Sequence, residues 1–173
     1  MKDEKTIKDV MINIFDYPHV PYWFSIGQAI KIVRISLASS KQRPDPMAVL
    51  VFDEKYNLMG TLTLKDLLKG LEPKFLRADI KAQVPHEEEA DLSILWDSLF
   101  NSGSKELAEK PVSEIMVPAK FFVEPGDAIT KAAYLMIRHD MALLPVLEGK
   151  KKFVGLVRMT EIFDTLAGAI AQD

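Results

Sequence analysis

The sequence predicts an α+β fold in which two copies of a strand-helix-strand-strand-helix unit pack through their sheets with pseudo-twofold symmetry. A short stretch, GTLTLKD at residues 60–66, returns as GLVRMTE at residues 155–161 with the glycine and an acid kept. Further matched segments precede both stretches in the same order. Each copy is about 60 residues long, a size at which a solitary core is marginal, so pairing the copies would supply the missing burial.

The matched segments set the predicted organisation of the chain. They are, in chain order, residues 7–11 with 112–116, residues 25–30 with 124–129, and residues 50–53 with 145–148. We therefore predict a first repeat at 1–70, an inter-repeat helical insertion at 71–110 and a second repeat at 111–173.

The first helix of each copy has a recognisable beginning. Ser25 and Gln28 have the spacing of a capping box, which predicts a helix start. In the second copy, Pro125 suits a first helical turn. The apolar residues that follow recur at helical spacing and are expected to face a core. They are Ala29, Ile30, Val33 and Leu37 in one copy, and Ile129, Ala132, Ala133 and Met136 in the other.

A strand pair and a second helix follow in each copy. The first pair is MAVLVFD turning through residues 54–57 into LMGTLT, and the second is ALLPVLE turning through residues 149–152 into FVGLV. The segments LKDLLKGL and TEIFDTLAGAI then predict the closing helices.

The insertion carries an apolar stripe at helical spacing, and NSGS at 101–104 is expected to end that helix. The stripe consists of Leu92, Leu95, Trp96, Leu99 and Phe100. Two interpretations stay open. The helix packs back on its own domain, or it presents a surface to a partner or a second copy.

Composition bounds the function. The formal net charge is −3 with mixed signs, which gives no reason to expect nucleic acid as a partner. The chain has no cysteine, and no segment is close to 18 apolar residues, so we expect a cytoplasmic protein without membrane insertion. Sequence motifs for phosphate loops, zinc proteases and serine nucleophiles are absent from the chain, so we predict no catalytic residue, no metal and no cofactor. The acidic run after His86 is better explained as a helix N-terminus than as a cation site.

The repeat resembles a tandem pair of CBS domains, also called a Bateman module. The resemblance rests on the openings at 7–11 and 112–116, the apolar strand before each turn, and Gly-x-x-Thr-x-x-Asp at 60–66. It covers nearly the whole chain except the insertion. It implies a non-catalytic regulatory or energy-sensing module that binds AMP, ADP, ATP or S-adenosylmethionine in inter-repeat clefts. It also implies a homodimer and an effector protein that the sequence does not identify.

In the first copy, the resemblance assigns Asp66 to the ribose hydroxyls and Thr63 to phosphate. A carboxylate suits this task because it can accept two charge-assisted hydrogen bonds from a vicinal diol, and a helix that starts after Thr63 would add free backbone N–H groups. The alternative is that Thr63 and Asp66 only form a capping box, which needs the same residue types at the same spacing.

In the second copy, Arg158 stands at the threonine position and Glu161 at the aspartate position. The guanidinium of Arg158 either clamps the phosphates of a nucleotide, or it pairs with an acid such as Glu161 and fills an empty site. The sequence leaves both alternatives open.

For the base of the ligand, the resemblance indicates residues just before the first strand and on the strand before the hairpin. These positions fall near Tyr22 and Ala48 in the first copy, and near Lys120 and Leu143 in the second. The leading hypothesis is therefore an adenine-nucleotide sensor. The alternatives are a ligand-free dimerisation or docking module acting through the 91–100 helix, and a regulatory fragment of a transporter or enzyme.

Overall fold

A computed structural model of the chain describes residues 5–39, 47–71 and 102–170. The first copy contains 3-10 helices Ile7–Asp9 and Ile14–Asp16, β1 His19–Pro21, α1 Ile26–Ser39, β2 Ala48–Phe52, β3 Leu58–Thr63 and α2 Leu64–Gly70. Next comes α3 Ser102–Ala108. The second copy contains a 3-10 helix Val112–Glu114, β4 Val117–Pro118, α4 Ile129–His139, β5 Leu143–Glu148, β6 Lys152–Arg158 and α5 Met159–Ile170.

The strands form a four-stranded sheet in the order β1-β2-β3-β4 and a two-stranded sheet of β5 and β6. β1 runs parallel to β2, and the other pairs are antiparallel. The predicted helix-strand-strand-helix order is confirmed in both copies. The first strand of the second copy is reduced to one parallel bridge between Val123 and Val146.

The two sheets face each other across a shared apolar layer. Residues of β2, namely Ala48, Leu50 and Phe52, are buried there against Leu143 of β5 and Leu156 of β6. Each copy also has its own core under its helices. The predicted packing through the sheets is therefore confirmed, and so are the core positions expected from the helical spacing.

The two copies exchange their opening segments. Ile7 is 0% exposed and lies in the core under α4 and α5, whereas Val112 is 0% exposed and lies in the core under α1 and α2. The backbone N–H of Ile7 donates to the carbonyl of Asp127 at 2.9 Å, and that of Val112 donates to Phe24 at 2.7 Å. Each core is thus completed by a segment that precedes the other copy. The boundaries predicted at 70/71 and 110/111 stay a prediction.

This exchange explains why both copies keep a glycine in the third strand of the unit. A Cβ on Gly60 would lie 2.5 Å from the carbonyl oxygen of Val117, and one on Gly155 would lie 2.7 Å from that of Ile12. Val117 and Ile12 belong to the exchanged segments, which cross the glycines at closest approach. A side chain at either position would push the crossing segment away.

Gly60→Ala is expected to destabilise the fold by about 1–3 kcal/mol, because the added methyl overlaps backbone that cannot rotate away. The matched control is Gly126→Ala, since a Cβ there meets nothing within 4 Å. Urea unfolding followed by circular dichroism measures both. Equal midpoints for the two variants would contradict the close crossing.

The start of the second copy's first helix was wrongly aligned from the sequence. The capping box is confirmed, since Ser25 Oγ accepts from the backbone N–H of Gln28 at 3.2 Å, but α4 begins only at Ile129, so Pro125 precedes the helix. The structural counterpart of Ser25 is Ala128, because Ser25 bridges the opening of the second copy and Ala128 bridges that of the first. The error is four residues. That is one helical turn, which leaves the apolar face unchanged and hides the shift from a periodicity argument.

The structure describes only the last part of the insertion. Residues 102–104 of the stretch NSGS form the first turn of α3, and the helix that this stretch was expected to end lies outside the described residues. The apolar stripe at 92–100 and the acidic run after His86 lie outside the described residues.

Candidate ligand-binding site

Thr63 and Asp66 meet where β3 runs into α2. Thr63 is the N-cap of α2 and Asp66 is its third residue. Asp66 Oδ2 accepts from the backbone N–H of Thr63 at 2.8 Å and from its hydroxyl at 2.7 Å. Within the residues that the structure describes, no hydrogen bond goes to Asp66 Oδ1. The capping box is therefore present, and among the described residues its side-chain bonds use only Oδ2 of Asp66.

Arg158 and Glu161 hold the matching positions in the second copy and form a bidentate ion pair. Arg158 Nε donates to Glu161 Oε2 at 2.9 Å and to Oε1 at 3.0 Å, and Nη2 donates to Oε1. The side chains are 22% and 20% exposed. The hydrogen bonds from Arg158 to Glu161, with the charge of that carboxylate, raise the pKa of the Arg158 guanidinium further above its ordinary value. Arg158 is thus engaged inside the protein.

The residues predicted on the strand before each hairpin lie directly opposite these pairs. Ala48 is the antiparallel partner of Thr63 in the β2–β3 pair, and Leu143 is the partner of Arg158 in the β5–β6 pair. Both Ala48 and Leu143 are buried. The structure therefore brings together three predicted residues in each copy at equivalent positions.

Tyr22 does not lie near Ala48 and Thr63. Its backbone N–H donates to the carbonyl of Phe52 at 3.0 Å, at the far end of β2 from Ala48. Its hydroxyl donates to Glu54 Oε1 at 2.7 Å, and this hydrogen bond raises the pKa of the Tyr22 phenol. The structure does not join Tyr22 to the group formed by Ala48 and Thr63.

The parallel pairing identifies Tyr17 as the residue that occupies the position before the first strand. His19 pairs with Leu50, so counting back two residues along both parallel chains aligns Tyr17 with Ala48. Tyr17 is 2% exposed and belongs to the layer between the sheets. Its phenol also contributes to the raised pKa of Arg158, behind the larger effect of Glu161. A side chain of the first copy is therefore buried in the same cluster as Leu143, the strand partner of Arg158.

The same count in the second copy gives Lys120. Val123 pairs with Val146, so three residues earlier Lys120 aligns with Leu143. Lys120 is exposed, and its backbone N–H donates to the carbonyl of Pro118 at 2.8 Å. Tyr17, not Tyr22, is its structural counterpart. The sequence misled because the first copy carries the extra 3-10 helix Ile14–Asp16 in this connection.

The described residues contain no cluster of three or more histidine, aspartate or glutamate side chains arranged to hold a metal ion. Among the described helices, none combines the length and the apolar character needed to span a bilayer.

Comparison with known proteins identifies the fold. Residues 112–168 match the family model described as CBS domain. A CBS domain-containing protein of unknown function from Bacillus anthracis superposes with a TM-score of 0.66 at 19% identity, with 95% of this chain and 94% of that chain covered. The chain folds as a tandem pair of CBS domains. The match to the family model is confined to the second repeat, and no curated protein matches the sequence of this CBS pair.

Two other similar structures contain nucleotides. CBSX2, solved in complex with AMP, has a TM-score of 0.61 at 17% identity, with 95% of this CBS pair and 98% of that chain covered. The cytosolic domain of the Mg²⁺ channel MgtE, solved in complex with ATP, has a TM-score of 0.61 at 21% identity, with 94% of this CBS pair and 49% of that chain covered. The CBS pair thus spans about half the length of the MgtE chain.

Proposed function

We propose that this CBS pair is a non-catalytic regulatory module that binds an adenosine-containing ligand beside Thr63 and Asp66. The observation that carries the proposal is the half-used carboxylate of Asp66, whose Oδ2 is bonded to Thr63. The remaining oxygen can accept from a ribose hydroxyl, and a charge-assisted bond of this kind is about twice as strong as a neutral one. Ala48 opposite Thr63 adds little bulk at this place.

The nucleotide complexes of CBSX2 and MgtE support the choice of ligand class, because AMP and ATP share the adenosine moiety. ADP and S-adenosylmethionine belong to the same class. Binding would act on an unidentified cytoplasmic effector through a difference in affinity for two arrangements of the module, with no chemical step.

The test has two parts. Mass spectrometry of small molecules released by heating the purified protein identifies a co-purified ligand, and calorimetry with AMP, ADP, ATP and S-adenosylmethionine measures affinity. We expect at least one of the four to bind with a Kd below about 1 mM, which corresponds to a binding free energy of more than about 4 kcal/mol. If none does, the sensor function is wrong.

A second candidate function, homodimerisation, is favoured by an exposed apolar surface on the second repeat. This α4–α5 face consists of Tyr134, Ile137, Phe163, Leu166 and Ile170. Taking Ala29 and Ala132 as equivalent buried positions, the counterparts of Tyr134 and Ile137 in the first repeat are Lys31 and Arg34. At these two positions the second repeat is apolar where the first is charged, although Ile35 of α1 and Leu68 of α2 are also exposed. A twofold contact between second repeats would use the α4–α5 face.

Phe163→Glu is expected to convert the dimer to a monomer, because it places a charge in the centre of the α4–α5 face. Leu68→Glu is the matched control, since Leu68 holds the same position in the first repeat and is 70% exposed against 69% for Phe163. Sedimentation equilibrium reports the mass. A monomeric wild type, or monomers from both variants alike, would refute a dimer through this face.

A further inference from the structure

The two clefts differ in the size of the side chains at three equivalent positions. Where the first repeat has Ala48, Thr63 and Asp66, the second has Leu143, Arg158 and Glu161. The strand pairing places Ala48 opposite Thr63 and Leu143 opposite Arg158, and each acid bonds to the residue three positions before it. Every exchange enlarges the side chain. The second cleft is therefore filled more completely by the protein itself, at the positions where the first repeat is expected to hold its ligand.

The carboxylate in the second cleft is also fully used. Asp66 receives its hydrogen bonds from Thr63 on one oxygen, whereas both oxygens of Glu161 accept from Arg158. A ribose at Glu161 would have to displace a bidentate ion pair that is about four-fifths buried. The hydroxyl groups of a ribose carry no charge, so their hydrogen bonds to Glu161 would be weaker than the bidentate bonds from Arg158 that they replace.

Tyr17 of the first repeat packs next to the residues of the second cleft. It is buried in the layer between the sheets together with Leu143, and its phenol acts on the Arg158 guanidinium. Leu143, the strand partner of Arg158, is thus buried together with a side chain of the first repeat, while Lys120, the counterpart of Tyr17, is exposed.

We propose that the second cleft is closed by Arg158, Glu161, Leu143 and Tyr17, so that each chain binds a single adenosine ligand, beside Asp66. The inference rests on the proposed function. In this arrangement Arg158 is one of the side chains that fill the second cleft, and it does not bind nucleotide phosphates.

Calorimetry and native mass spectrometry with AMP test the stoichiometry. We expect one AMP per wild-type chain and about a hundredfold weaker binding by Asp66→Ala. We expect two AMP for the triple variant Leu143→Ala, Arg158→Thr and Glu161→Asp, which restores the side chains of the first repeat. Two AMP per wild-type chain would overturn the closed cleft and leave the proposed function intact. A single AMP that survives Asp66→Ala and is lost in Glu161→Ala would overturn it as well.

A measurement without ligand keeps the inference testable if wild type binds no AMP or the triple variant does not fold. The Nε–H signal of Arg158 in ¹⁵N NMR, identified by its loss in Arg158→Lys, is expected to exchange with water much more slowly than that of the exposed Arg138. Equal exchange of the two signals would overturn the closed cleft. Absence of binding by all four adenosine compounds, together with slow exchange, would refute only the proposed function.

Discussion

Replacing Asp66 by alanine is expected to weaken AMP binding about a hundredfold, because the loss of one or two hydrogen bonds to a charged group costs about 1.5–3 kcal/mol each and 1.4 kcal/mol is tenfold in affinity. Asp66 is half-buried, and no hydrogen bond from a described residue goes to its Oδ1. We therefore expect its carboxylate to accept hydrogen bonds from the ribose hydroxyls. Titration calorimetry with AMP gives the change in Kd directly.

The controls separate ligand binding from helix capping. Asp66→Asn keeps an oxygen that can accept from Thr63 but removes the charge, so we expect the fold to be kept and AMP affinity to fall. Glu161→Ala removes the matching acid of the second repeat and should leave AMP affinity nearly unchanged. If Glu161→Ala and Asp66→Ala weaken binding equally, the ligand does not sit beside Asp66.

Replacing Ile7 by alanine is expected to destabilise the fold by about 2–5 kcal/mol, the usual cost of removing a buried isoleucine and leaving a cavity. Ile7 is fully buried against Ile129, Val146 and Val157 in the core under α4 and α5. Urea unfolding measures the loss. Ile35→Ala is the control, because Ile35 is 67% exposed and its truncation creates no cavity.

The location of the damage distinguishes exchanged from unexchanged opening segments. In Ile7→Ala, hydrogen exchange of backbone amides is expected to accelerate more in β5 and β6 than in β2 and β3, although Ile7 precedes the first repeat in sequence. The reverse order would mean that the opening segment packs on its own repeat. The free energy of local opening is what this measurement reports.

The sequence predicted those parts of the fold that depend on local pattern. Both hairpins follow from apolar runs flanked by turn residues, and the inward faces of α1 and α4 follow from helical spacing. The exchange of openings could not be predicted, because residues 7–11 and 112–116 are alike and either would complete either core. The four-residue error at Pro125 has a different origin, since a shift by one helical turn keeps every apolar residue on its face.

The internal repeat predicted the part of the candidate site that lies between each third strand and the helix after it. Thr63 with Asp66, and Arg158 with Glu161, are three residues apart in the chain and therefore meet wherever a strand leads into a helix. Tyr17 was missed because its role depends on the parallel register of β1 and on a contact with the other repeat. Neither is visible in a single linear sequence.

The crossing of the opening segments also has a thermodynamic consequence. When Ile7 leaves its pocket, the second repeat loses part of its core. When Val112 leaves its pocket, the first repeat loses part of its core. Neither repeat can open without withdrawing support from its neighbour. The stabilities of the two repeats are therefore coupled, and a ligand that tightens one repeat also raises the free energy needed to open the other.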